Sequence, residues 1–253
     1  MTFDLFTSAN RRRHSTAAVG AVCLALAAPA ALAQQADSAC GSIANSFGPH
    51  DYRVERGQPL SLVESAHFTP VVEALIRGNA GYIGGDLDYT LRAFPNHHRA
   101  LIAMMRYGEK RHSPHPADAT YSVECYFDRA LRFRPDDSAV HMIYASFLAK
   151  NGRQPEARRQ LELASSYGRG NGFTQYNVGL FYFDLKEYDK ALKQAHLAWA
   201  LGFERPALKE RLRSLGKWTE PPPRPADMDE AASASGDSAG TAASAGERPP
   251  AAK

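Results

Sequence analysis

Apolar residues recur at helical spacing from residue 69 to residue 218, and no stretch in that range alternates as a β-strand does. Thr69 and Pro70 supply an N-cap and a first-turn proline, so a helix is predicted to begin there. Its apolar face consists of Val71, Val72, Leu75 and Ile76. The pattern therefore predicts an all-α fold over residues 67–218.

A 34-residue period underlies this helical pattern. The residues Gly179, Ala191, Ala195 and Ala198 have counterparts 34 positions earlier in Ala145, Ala157, Leu161 and Ala164. One more step back reaches Val123, Phe127, Ala130 and Pro135, with the preceding helix displaced by about eight residues. Three clear units are predicted at 96–137, 138–171 and 172–205, with a degenerate unit at 69–95 and a capping helix at 206–218.

Small residues within each unit predict pairs of closely crossing antiparallel helices. Gly179 and Ala191 leave room for close approach, so Gly179 is expected to touch the backbone of its partner helix. Glycine costs roughly 1 kcal/mol in a helix interior, which close packing must offset. In the capping segment, Leu208, Leu212 and Leu215 lie on one face, and Trp218 closes it.

These residues resemble the tetratricopeptide repeat, whose pattern is W-x2-L-G-x2-Y, then A-x3-F, then P. The last unit keeps Val178, Gly179, Tyr182 and Ala191, but has Gln175 for the Trp and Ala195 for the Phe. The whole layout is also similar to uncharacterised exported repeat proteins of bacteria. The resemblance implies an α-solenoid of helical hairpins with a C-terminal capping helix.

The resemblance also implies a concave groove, lined by the first helix of each unit, that holds peptide segments. On residues 173–184, a second apolar stripe lies opposite the side that faces the partner helix. The candidate partner-binding residues, with their counterparts in earlier units, are His97, Met104, Tyr107, Met142, Lys150, Phe173, Tyr176, Leu180 and Phe183. Packing between neighbouring repeats is the alternative for each of them.

The chain ends carry separate signals. Arg11, Arg12 and Arg13 precede an apolar run from Ala17 to Leu32 that ends before a cleavage site after Ala33, as in a Sec-type signal peptide. The run is too short for a stable membrane span, and a periplasmic address is predicted. Twin-arginine export is the alternative. Residues 34–66 are predicted to form an irregular arm, and the Ala-, Pro- and Ser-rich residues 219–253 a disordered tail.

Two cysteines, Cys40 and Cys125, follow the predicted cleavage site. A lone pair in an oxidising compartment is a disulfide candidate, and two inert thiols are the alternative. Cys125 is predicted on the convex side, where the arm that bears Cys40 could reach it.

The remaining chemistry points away from catalysis. A formal charge of +3 on 253 residues gives no reason to expect nucleic acid. The histidines between 97 and 115 lack the spacing of a zinc site, and Ser214-x2-Lys217 lacks the other elements of a serine-lysine hydrolase. No enzyme and no cofactor are therefore predicted.

The sequence favours a non-enzymatic scaffold that binds peptide segments of another protein, expected to be an envelope protein. An envelope assembly chaperone or accessory subunit is the first alternative. A histidine-dependent metal-binding protein or hydrolase is the second.

Overall fold

The computed structural model describes residues 40–223, and this part of the chain is built from α-helices. The helices are α1 Gln58–His67, α2 Pro70–Glu73, α3 Ile83–Ala93, α4 His98–Arg111, α5 Val123–Phe133, α6 Ser138–Lys150, α7 Gln154–Tyr167, α8 Gly172–Asp184, α9 Tyr188–Ala200 and α10 Pro206–Ser214. The all-α prediction is confirmed for these residues. The predicted signal peptide and most of the predicted tail lie outside them.

Helices α4, α6 and α8 begin and end in the same way. The side chains of His97, Asp137 and Asn171 each accept a hydrogen bond from a backbone N–H of the first turn that follows. Each helix is followed by a left-handed residue, respectively His112, Gly152 and Lys186, with φ of 49°, 75° and 62°. The three N-cap residues are 40 and then 34 positions apart, and so are the three left-handed residues. These helices are therefore equivalent along their whole length.

The second helices α5, α7 and α9 repeat with a period of 34 throughout. The positions that predicted the repeat are buried in all three helices: Val123, Phe127 and Ala130, then Ala157, Leu161 and Ala164, then Ala191, Ala195 and Ala198. The first unit is thus six residues longer than the others, and the additional residues lie in the loop between His112 and Val123. The displacement of about eight residues predicted from sequence is wrong by two.

The close crossing predicted at Gly179 is present, but its nearest neighbour is a different helix. A methyl group added at Gly179 would lie 2.6 Å from Cδ2 of Leu208 in α10, and 3.1 Å from Cβ of Gln194 in α9. The backbone oxygen of Ala191 would be 3.4 Å away. Gly179 therefore lets two helices approach α8, the hairpin partner α9 and the following helix α10.

Helix α10 continues the repeat by half a unit. Pro206 follows Gly172 by 34 residues, and the buried Leu208 and Leu212 stand at the positions of Thr174 and Val178. Residues 215–223 then leave the helix and return along α9 and α10, with His196 Nε2 2.9 Å from the Thr219 carbonyl oxygen. The first residues of the predicted tail thus contact the helical domain.

The N-terminal region differs from the prediction. Residues 58–67 are helical rather than irregular, because Pro59 stands in the first turn and Leu60 packs against Phe94 and Ala93 at the end of α3. The helix predicted after Thr69 is only four residues long, and Ile76 is 70% exposed. The first hairpin is accordingly formed by α1 and α3, and its boundaries begin before residue 69.

Candidate functional site

Successive first helices lie side by side, since α4 packs against α6, α6 against α8, and α8 against α10. One face of each is turned away from its hairpin partner. We call the residues at the positions of Phe173, Tyr176 and Leu180 in the three full units the first-helix row. Its members are Arg99, Ile102 and Arg106 in α4, Ala139, Met142 and Ser146 in α6, and Phe173, Tyr176 and Leu180 in α8.

The candidate residues predicted in α8 lie at accessible or half-buried positions, whereas those predicted in α4 are buried. Phe173 is 57% exposed, Tyr176, Leu180 and Phe183 are half-buried, and Lys150 is exposed. His97, Met104, Tyr107 and Met142 are instead 0%, 0%, 6% and 8% exposed, so they cannot line an open groove. His97, Met104 and Tyr107 are corrected to core positions, and Met142 keeps its place in the row as a buried member.

The two-residue error in loop length explains the correction in α4. A shift of two positions rotates a side chain by roughly 200° around a helix, from the accessible side to the interior. The left-handed His112 gives the true register, which assigns Arg99, Ile102 and Arg106 to the row. The repeat of small residues does not indicate these three positions. The N-cap and the left-handed residue after the helix are what align α4 with α6 and α8.

The row changes in character along its length. At the α4 end, the guanidinium of Arg99 is paired with the carboxylate of Glu73, and Arg106 is exposed. Lys150 Nζ donates to Glu109 Oε1 at 2.7 Å and ties α6 to α4. At the α8 end the side chains are aromatic and aliphatic. The row thus offers charged groups at one end and apolar surface at the other.

Phe183 extends the α8 stripe but has a different environment. The guanidinium carbon of Arg211 lies 4.1 Å from the centroid of its ring, and Tyr188 contacts its edge with centroids 5.3 Å apart. Arg211 also reaches Asp184, so α10 covers this part of the stripe. Phe183 therefore packs between repeats.

A cavity of about 330 Å³ opens next to Tyr176, between α8, α9, α10 and the segment that follows α10. Its walls are largely aromatic and aliphatic, and its charged members are Glu204, Arg205, Lys209 and Glu220. The aromatic members are Tyr176, Trp199 and Phe203, together with Trp218 of the segment that follows α10. The ring of Phe203 lies 5.5 Å from that of Tyr176 and 5.8 Å from that of Phe173, so this cavity continues the apolar end of the row.

A second cavity, of about 640 Å³, lies beside the α4–α5 hairpin. Met105 occupies the crossing position that Ala145 and Gly179 hold in later units, and α4 and α5 pack less closely than the later pairs. Gly108 compensates by making room for Val123, whose Cγ2 would lie 2.7 Å from a methyl group at 108. Phe147, Lys150 and Asn151, at the end of α6, line the same cavity.

The histidines at the start of α4 are held by structural contacts. His97 Nδ1 accepts from the Ala100 amide at 3.2 Å, so Nε2 carries the proton and donates to Glu64 Oε1 at 3.1 Å. Burial, followed by the charges of Arg99 and His98, lowers the pKa of His97 from 6.5 to about 3. The imidazole is therefore neutral near pH 7.

Asp137 joins three parts of the chain. Besides capping α6, its carboxylate lies 3.0 Å from His98 Nε2 and accepts from Asn96 Nδ2 at 2.9 Å. Asn96 Nδ2 also donates to Asp51 at 2.7 Å, which fixes the N-terminal segment to the repeats. Burial opposes ionisation of Asp137, but the contact with His98 and the other hydrogen bonds outweigh it and lower its pKa.

Cys40 and Cys125 form a disulfide that links the N-terminal segment to α5. Beside it, the buried guanidinium of Arg129 donates from Nη1 to the carbonyl oxygens of Cys40 and Ser42, at 2.9 and 2.7 Å. The same guanidinium lies 4.4 Å from the ring centroid of Tyr121. The segment is therefore held covalently and by charge-assisted hydrogen bonds.

Within residues 40–223, no three His, Cys, Asp or Glu side chains converge so as to hold a metal ion. His115 Nε2 lies 3.0 Å from the Ala119 carbonyl oxygen, and the hydroxyl of Ser214 donates to the Arg211 carbonyl oxygen at 2.8 Å. Over the same residues, no helix combines the length and the apolar character that crossing a membrane requires.

Comparison with known proteins adds no relative: no family model, no curated protein and no solved structure matches this chain.

Proposed function

We propose that the chain is a non-enzymatic scaffold of the tetratricopeptide type that binds peptide segments of another protein through the first-helix row. The observation that carries the proposal is the accessible surface of Phe173, Tyr176 and Leu180, next to a cavity, on helices that recur in register. Aromatic and aliphatic side chains along adjoining helices suit an extended or helical peptide with apolar anchors.

The charged α4 end complements this apolar end. Arg99, Arg106 and Lys150 carry the cations near this end, where Arg99 is paired with Glu73 and Lys150 with Glu109. A peptide that carries apolar anchors and acidic residues at opposite ends would match both parts. Charge complementarity of this kind contributes orientation and association rate more than affinity.

The address proposed for the protein is the bacterial periplasm, and the proposed partner is an envelope protein. The disulfide between Cys40 and Cys125 supports an oxidising compartment, since such bonds persist there and are rare in the cytosol. The arginines and the apolar run within residues 1–33 also support export to that compartment.

Capture from an envelope extract tests the proposal. Leu180→Ala removes an apolar side chain from the row, while Leu197→Ala removes an equivalent one from the outer side of α9, where Leu197 is 40% exposed. We expect Leu180→Ala to lose the captured partner and Leu197→Ala to retain it, with helical circular dichroism unchanged in both. Equal capture by both variants would reject the row as the binding surface.

A further inference from the structure

The segment after α10 shows what kind of group the cavity beside Tyr176 attracts. The carboxylate of Glu220 accepts from Arg213 Nη2 at 2.7 Å and from the indole Nε1 of Trp218 at 3.0 Å, with Lys209 Nζ at 3.4 Å. The next residue, Pro221, forms part of the cavity wall. The chain itself thus places a carboxylate followed by proline at this site.

The surrounding charges favour a carboxylate there. Lys209 and Arg213 lie one turn apart on the same side of α10 and both contact the Glu220 carboxylate, and Arg205 and Glu204 are the other charged residues of the cavity lining. The indole of Trp218, and then Arg213, lower the pKa of the Glu220 carboxyl, which therefore stays ionised. Loss of Glu220 from this position would leave Lys209 and Arg213 without the carboxylate that now accepts from both.

Proline suits the cavity for a separate reason. Residues 221–223 are three consecutive prolines, so their backbone has no N–H that a partner must satisfy. A proline segment is already extended before binding and loses little conformational freedom. Such segments dock onto aromatic walls, which Tyr176, Trp199 and Phe203 supply here.

The chain's own segment is held by contacts that are easy to exchange. Glu220 is exposed, and exposed ion pairs contribute little to stability. The backbone of the segment is held at Thr219, whose carbonyl oxygen contacts His196, and Lys209 lies 5.0 Å from the ring centroid of Trp218. A competing segment with the same groups could replace Glu220 and Pro221 without disturbing α10.

We propose that this cavity binds an extended partner segment in which an acidic residue precedes proline, and that residues 218–223 occupy part of the same site in cis until the partner displaces them. This inference rests on the proposed scaffold function and specifies one class of its partner. The cis segment then acts as a built-in competitor that sets how tightly a partner must bind.

The test uses the full-length chain and a fluorescent peptide with the sequence of residues 218–223, Trp-Thr-Glu-Pro-Pro-Pro. In wild type, the cis segment reduces apparent affinity in proportion to the fraction of sites it leaves open. Glu220→Gln weakens the cis segment, and we expect peptide binding to tighten by up to about fivefold in fluorescence anisotropy, the limit set by exposed ion pairs. A control peptide with Gln in place of its Glu should lose this gain.

A second variant identifies the receiving groups. Glu220→Gln combined with Lys209→Ala and Arg213→Ala should bind the peptide more weakly than wild type does, with unchanged circular dichroism. Equal binding of the Glu and Gln peptides, or no gain on Glu220→Gln, would overturn the proposal. A concentration-dependent dimer of the wild-type chain that Glu220→Gln dissociates would also overturn it, because the occupant would then be a second copy.

Failure of the cavity assignment can be distinguished from failure of the proposed scaffold function. If the peptide does not bind while Leu180→Ala still abolishes capture from the extract, the first-helix row stands and this cavity assignment fails. If the peptide binds as expected but Leu180→Ala leaves capture intact, the cavity stands and the row fails.

Discussion

Gly179 of α8 faces Leu208 of α10 so closely that a methyl group at 179 would lie 2.6 Å from the leucine Cδ2. Leu208 is 1% exposed and therefore has little freedom to move aside. The glycine thus joins the last full hairpin to the half unit that covers it. We expect Gly179→Ala to destabilise the protein by about 1–3 kcal/mol, the usual cost of overpacking a core.

A helical glycine elsewhere in the chain supplies the control for this prediction. Gly85 in α3 is exposed, and a methyl group there would approach Asp118 O no closer than 3.8 Å. Gly85→Ala should therefore stabilise by up to about 1 kcal/mol through helix propensity alone. Urea denaturation of both variants checks the pair, and a stabilised Gly179→Ala would show that the α8–α10 contact is loose.

The α4–α5 hairpin reverses the arrangement of large and small residues found in the two hairpins that follow it. Gly108 stands at the positions of Leu148 and Tyr182, while Val123 stands at those of Ala157 and Ala191. Because Val123 Cγ2 would lie 2.7 Å from a methyl group at 108, Gly108→Ala should destabilise by about 1–3 kcal/mol.

The same pair predicts a non-additive double variant. In Val123→Ala the contact with Cγ2 is removed and the Ser113 carbonyl oxygen, at 3.2 Å, remains, so Gly108→Ala should cost less in that background than in wild type, with a coupling of about 0.5–3 kcal/mol. A double-mutant cycle measured by urea denaturation gives the coupling directly. Strict additivity would mean that the two residues do not determine this crossing.

The repeat was predictable because its small residues recur with a fixed period, whereas the register of α4 was not recovered from those residues alone. The crossing position of α4 is Met105, whereas α6 has Ala145 and α8 has Gly179. The small residue that aligns α6 with α8 is therefore absent from α4. The end residues His97 and His112 carry the register instead. They differ in residue type from Asp137 and Gly152. His97 nevertheless caps its helix as Asp137 does, and His112 adopts a positive φ as Gly152 does.

The N-terminal region was harder to predict because its contacts are distant in sequence. Leu60 packs near Phe94, and Asp51 bonds to Asn96, which lies 45 residues later. The helical periodicity of the sequence does not indicate contacts between residues so far apart. At the candidate site, the sequence identified Phe173, Tyr176 and Leu180 through helical spacing, but the carboxylate held at Glu220 depends on how residues 215–223 return to α10.

Removal of the disulfide is expected to lower stability substantially. Cys40 and Cys125 are separated by 85 positions, and closing a loop of this length contributes at most about 4.6 kcal/mol on a chain-entropy basis. The hydrogen bonds from Arg129 to the Cys40 and Ser42 carbonyl oxygens hold the same segment, so the folded state should survive the loss. Cys40→Ser combined with Cys125→Ser should therefore unfold at lower urea with helicity retained.

Reductant supplies the control for this variant. Wild type in excess dithiothreitol should shift toward the unfolding midpoint of the double serine variant, which should itself not respond to reductant. A wild type whose midpoint is the same with and without reductant, although its thiols titrate as free, would show that the covalent link adds no stability.

The buried imidazole of His97 makes stability depend on pH in a defined window. Its pKa in the folded state is lowered from 6.5 to about 3, first by burial and then by the charges of Arg99 and His98. As the pH falls below 6.5, the unfolded chain binds a proton at this position and the folded chain does not. Stability should thus fall on acidification, by up to about 1.4 kcal/mol per pH unit for this group.

His97→Asn isolates this contribution, because asparagine can still accept the hydrogen bond that caps α4. The window from pH 6.5 to 5.5 is suitable, since carboxylates with lowered pKa, such as Asp137 and Glu73, lose the stability they contribute only as the pH approaches their ordinary values of 3.8 and 4.5. Urea midpoints measured across the window should fall less steeply with acid in His97→Asn than in wild type. Identical slopes would show that His97 takes up its proton in the folded chain as readily as in the unfolded one, and the burial of its ring would then need another explanation.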